Sequence, residues 1–180
     1  GAPTPMLKLA ARMLDAQAGE SALQDFLEEE YGAQAGLVNR AQQLFSEAFR
    51  QFPFDVGVLY LGPQNYGPMS LLYPEPTGWK ATMIGFPYDD LKGWRSIYPE
   101  DIFERQFGLL CEKWRQGLAL LEGEKGGAAF EEFVRMAHTC LCHFSSALNQ
   151  IRYVRARDAG APKEVLLPLL EEERRTTQAL

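Results

Sequence analysis

Residues 128–158 read AAFEEFVRMAHTCLCHFSSALNQIRYVRARD. Within them Phe130, Val134, Ala137, Leu141, Phe144, Leu148, Ile151 and Arg155 recur at alternating steps of four and three. That spacing keeps one face of an α-helix apolar, and no proline or glycine interrupts it. It predicts one helix from about Ala128 to Asp158, roughly 45 Å long. Arg152, Arg155 and Arg157 fall in its last turns, where cations suit the negative end of the helix dipole. Gly160 is placed to end the helix, and Pro162 to open the next.

The same period extends outward in both directions. Phe103, Phe107, Leu110, Trp114, Leu118 and Leu121 form a stripe on a helix that starts at Pro99 and closes at Gly123–Gly127. Leu37, Ala41, Leu44, Phe45, Ala48 and Phe52 form another, over about Ala33–Phe52, which Pro53 ends. Nearer the start, Leu7, Ala10, Ala11 and Leu14 predict a helix broken at Gly19. A second, carrying Leu23, Phe26 and Leu27, opens at Glu20 or Ser21 and ends near Gly32. After Pro162 a sixth helix is expected, with Pro168 kinking it or delaying its start. Helices of this length joined by short connections predict a mainly α fold, an antiparallel bundle of about six helices in a single domain over 1–180.

Composition fits that fold. The chain has 180 residues, 46% hydrophobic and 23% charged, which excludes a disordered chain and a disulfide scaffold. A net charge of −6 argues against a nucleic-acid partner, which would need a basic face. No apolar run approaches a membrane span, so a membrane partner is not expected. Cys111, Cys140 and Cys142 are an odd number, and on a helix the last two point about 200° apart and cannot bridge. Free thiols fit a reducing, cytoplasmic compartment.

Residues 53–98 break the pattern. These forty-six residues hold nine aromatics, six prolines and six glycines, with only seven charges. A linker would be polar and flexible, so this aromatic-rich insertion reads as ordered and packed on the bundle. Val56, Val58 and Tyr60 alternate with Gly57 and Leu59, and would pair with Ala81–Phe86 in a small β-hairpin. Asn149, Gln150, Arg152 and Arg157, on the long helix, are expected to dock the insertion through hydrogen bonds.

Aromatic faces beside amides, carboxylates and a guanidinium suit sugar recognition. A ring covers the C–H face of a pyranose while polar groups read its hydroxyls. The candidates are Gln64, Asn65, Tyr66, Tyr88, Asp89, Asp90, Trp94 and Arg95. The competing reading is that these side chains form the insertion's own small core and its turns. Adjacent residues such as Asp89 and Asp90 cannot flank a glycosidic bond from opposite sides, so no catalytic pair is assigned. His138 and Cys142 share a helix face, but no further ligands complete a zinc set, so no metal or cofactor is expected and His138 reads as a packing histidine. No nucleophile elbow and no phosphate loop is present.

Several motifs in order carry a resemblance. SEAFRQFPF (46–54), LYLGPQNYGPMSLLYPEPTGW (59–79), ATMIGFPYDDLKGWRSIYP (81–99), WRQGL (114–118), SSALNQIRYVRARD (145–158) and LLEEERRTTQAL (169–180) resemble the C-terminal helical region of large bacterial proteins related to glycoside hydrolases. The similarity covers roughly 31–180. It implies a non-catalytic accessory domain that follows a glycosidase-like barrel in the same polypeptide, packs on it and helps line its carbohydrate cleft. The catalytic carboxylates would belong to that barrel, and the chain would be a fragment of a larger protein. The alternatives are a structural or protein-interaction module with no ligand, and a small stand-alone enzyme.

Overall fold

A computed structural model describes residues 5–14 and 21–179 of the chain. The helices are α1 (Pro5–Met13), α2 (Ala22–Tyr31), α3 (Ala35–Phe49), α4 (Val56–Leu61), α5 (Leu91–Trp94), α6 (Glu100–Ala119), α7 (Ala128–Asp158) and α8 (Lys163–Gln178). Short 3-10 turns cover Gly32–Gln34, Pro63–Asn65 and Gly67–Met69. The break expected at Gly19, a start at Glu20 and the end at Leu180 lie outside the described residues.

The fold is a mainly α bundle. α6 packs on α3, α7 on α6 and α8 on α7, while α2 covers α3 and α1 reaches α2. The periodic stripes point inward: Phe103, Phe107, Leu110, Trp114, Leu118 and Leu121 are all buried, as are Ala41, Phe45, Ala48 and Phe52. Phe45 stacks on Trp114 with centroids 4.4 Å apart, and the Trp114 indole N–H donates to Ala137 O at 2.9 Å. That bond satisfies a buried donor that would otherwise be costly.

α7 has the predicted bounds, but more than one face of it is covered. From Ser145 to Ile151 every residue is buried, polar ones included. α6 lies on the apolar face. α8 and the two turns at 63–69 lie on the others. The α8 side is polar: Glu173 accepts from the Ser146 hydroxyl and, at 3.0 Å, from Asn149 Nδ2.

Three expectations need correction. Residues 56–61 form helix α4, and no strand occurs among the described residues. Five residues cannot separate a period of two from one of 3.6, and Asp55 settles the matter by capping α4 through Gly57 N–H at 2.8 Å. Of the two alternatives for Pro168, a kink or a later start, the later start is overturned, because α8 starts at Lys163 and contains the proline. His138 is exposed; the histidine that packs is His143.

Candidate functional site

The 53–98 insertion lies along α7 and is fixed to it by polar groups. Gln150, wholly buried, donates from Nε2 to Gly67 O at 2.8 Å. His143 bonds Gln64 O through Nε2. Gly67 is left-handed at φ 56, and a Cβ there would meet the His143 ring at 2.5 Å, so the turn needs glycine to seat on α7. Arg157 is the main anchor. Its Nη1 donates to Tyr73 O at 2.9 Å and to Asp89 Oδ2 at 2.8 Å, and its Nη2 pairs with Asp158 at 2.7 Å. Thus Gln150 and Arg157 dock the insertion as expected. Asn149 bonds α8 instead, and Arg152 bonds Glu104 of α6 at 3.2 Å.

Asp89 has the best-defined surroundings of the eight predicted residues. Burial pushes its carboxyl up. The Thr77 hydroxyl and backbone N–H and the Arg157 guanidinium outweigh that and hold it below the usual carboxylate range. Asp90 caps α5 through Gly93 N–H at 3.3 Å, accepts from Ala81 N–H at 3.0 Å, and meets Lys80 Nζ at 3.2 Å.

Four candidates serve the insertion's own backbone. Gln64 Nε2 donates to Val58 O at 2.6 Å and Asn65 Nδ2 to Leu59 O at 3.0 Å, tying both to α4. Trp94 is fully buried and its indole N–H donates to Pro87 O at 2.8 Å. Arg95 Nη1 donates to Tyr98 O at 2.7 Å.

Tyr66 and Tyr88 are half-buried and belong to one row of rings. Tyr66 meets Phe86 at 4.9 Å, Phe86 meets Tyr88 at 5.3 Å, and Tyr88 meets Trp79 at 4.9 Å, each edge to face. Tyr88 is left-handed at φ 50, which is rare for a bulky residue. The row ends at a cleft of about 580 Å³ walled by Trp79, Lys80, Asp89, Asp90, Arg157 and Asp158, among others. The structure therefore gathers Asp89 and Asp90 at one opening, connects Tyr88 and Tyr66 to it only through Trp79 and the ring row, and leaves Gln64, Asn65, Trp94 and Arg95 in supporting positions.

Trp79 is the residue the sequence reading passed over. It is 61% exposed at the cleft wall. Nothing local marks it, since Trp94, in the comparable run KGWRS, is fully buried.

Burial pushes the thiols of Cys111, Cys140 and Cys142 up, so none is a poised thiolate. Among the described residues no three His, Cys, Asp or Glu side chains are grouped to hold a metal, and no helix is long and apolar enough to cross a membrane. Comparison with protein-family models, curated proteins and solved structures found no match.

Proposed function

We propose that this chain is a non-catalytic helical domain of a larger carbohydrate-active protein related to glycoside hydrolases. It packs, through one end of the 53–98 insertion, on a catalytic-type barrel of the same polypeptide. The observation that carries the docking reading is a group of exposed apolar side chains. Val56, Leu59 and Tyr60 occupy one face of α4, and Phe54 and Ile97 flank them; all five are exposed. The Tyr98 hydroxyl bond to Phe54 O at 3.0 Å and the Ser96–Asp55 hydrogen bond hold these two ends of the insertion together. Collected apolar side chains on a fixed backbone are what a docking surface requires. The resemblance of the 46–99 motifs to the region behind a glycosidase-like barrel supplies the partner.

The test uses the whole polypeptide. Val56→Asp with Tyr60→Asp is expected to lower its melting temperature and to speed proteolytic separation of this domain. The isolated chain carrying both changes should melt as the parent does. Identical behaviour of the variant and parent whole proteins, or a reading frame encoding no second domain, would refute the proposal.

A second reading, a protein-interaction module with no ligand, draws on Gln64, Asn65, Trp94 and Arg95. Their polar atoms serve the insertion's own carbonyls, so those four have a structural task already.

A further inference from the structure

We infer that the cleft between Trp79 and the C-terminal end of α7 binds one ring of a neutral saccharide. This deepens the carbohydrate part of the reading above, but it stands on the cleft's own chemistry and needs neither the docking face nor a partner domain.

The volume comes first. About 580 Å³ lies within the range of small-ligand sites and holds a pyranose with its water. One wall carries the exposed Trp79 indole. Trp79 and Tyr88 meet at 83° with centroids 4.9 Å apart. Whichever ring supplies the edge in such a pair, at least one indole face stays uncovered. Tyr88 holds that indole, and Phe86 and Tyr66 hold Tyr88 in turn. A solvated indole face gains by covering itself with an apolar surface, and the C–H face of a pyranose is one.

The polar walls favour neither sign of charge. Lys80, Lys92, Arg155 and Arg157 line the cleft together with Asp89, Asp90, Glu100 and Asp158, so its cationic and acidic side chains balance. A phosphate or a cationic ligand placed there would meet as many like charges as opposite ones, so neither is favoured by the lining's net charge. A hydroxyl both donates and accepts, so a ring of hydroxyls suits donors and acceptors set side by side. The floor is built rather than incidental. Asp89 and Arg157 have side chains only 4% exposed, and their pairing at 2.8 Å fixes the insertion to α7 at this point. The left-handed Tyr88 just before Asp89 is the kind of strained backbone that a packed site sustains.

The experiment titrates the chain with methyl β-glucopyranoside, methyl β-galactopyranoside and methyl β-xylopyranoside. It follows the three indole N–H signals by NMR. Trp94 and Trp114 are buried and donate to carbonyls, so they serve as internal references. The expected result is a saturable shift of the Trp79 signal by at least one pyranoside, with a dissociation constant of about 1–10 mM for a single ring. Monitored on the Tyr88 ring signals, binding should disappear in Trp79→Ala and persist in Trp79→Phe. Because Trp79 is a surface residue, Trp79→Ala should keep the parent melting temperature. No saturable shift with any pyranoside, an unchanged response in Trp79→Ala, or a response to adenosine or choline but to no pyranoside would overturn the inference. None of these outcomes bears on the docking face, which is tested by its own variants.

Discussion

Arg157 and Asp89 bind each other with almost no water at either side chain. The same guanidinium also holds Tyr73 O, while Thr77 holds the carboxylate. Removing one partner of such a pair strands the other, which costs about 3–5 kcal/mol. Asp158 remains beside Arg157 as a second carboxylate, so Asp89→Asn is expected near the low end, about 3 kcal/mol at neutral pH. The pH dependence has a fixed sign. A carboxyl whose folded value is depressed stabilises the fold above its unfolded value, near 4, and loses that contribution as pH falls through the folded value. The stability gap between the parent and Asp89→Asn should therefore be full at pH 7 and close toward pH 2. Urea midpoints across that range measure it, and a gap that stays constant would contradict the assignment. Asp55, also held below its ordinary value, chiefly by the Ser96 hydroxyl, is common to both proteins and cancels. Asp89 and Arg157 were each legible as polar groups in unusual company. Their pairing was not, because sixty-eight residues separate them and nothing local encodes the meeting.

Helix positions were legible wherever an apolar stripe ran for three turns or more, as in α3, α6 and α7. Burial of the other faces of α7 was not. Asn149 and Gln150 read as docking residues, but Ser146 looks solvent-facing until α8 covers it, and nothing in the sequence says that Asn149 meets α8 and not the insertion. Polar side chains inside a bundle are invisible to a hydrophobic count, since their partners are carbonyls and carboxylates from distant chain. α4 was misread for a different reason: it is too short for periodicity to identify. Where α3 and α6 cross, one atom limits the approach. A Cβ on Gly117 would lie 2.5 Å from the Phe45 ring, which is pinned against Trp114. Gly117→Ala should therefore destabilise the protein by about 1–3 kcal/mol, even though alanine favours the helix by roughly 1 kcal/mol. A thermal melt is expected to fall by several degrees. An unchanged or higher midpoint would mean that the ring yields.

Over the whole molecule, apolar exposure is uneven. Phe54, Val56, Tyr60, Met69, Leu71, Trp79, Met83, Ile84 and Ile97 are all exposed and all belong to the insertion. The insertion is not loose for that reason. Its backbone is fastened on both sides of the outermost point, Met83–Ile84. Tyr73 and Asp89 share one guanidinium, Thr77 N–H reaches Asp89 at 3.0 Å, and Ala81 N–H reaches Asp90 at 3.0 Å. These bonds, together with the packing of α3 on α6, hold the two sides of the tip in place, so the peptide link there should be dispensable to the fold. A protease that cuts once between residues 83 and 84 should yield two bands in denaturing gels but a single species in gel filtration. Two fragments expressed separately, 1–83 and 84–180, should then reassemble by complementation, making the tip a natural split point in the chain. Arg157→Leu removes one of these fastenings but not the packing of α3 on α6, so it should speed further cleavage of the 73–89 segment without separating the nicked halves.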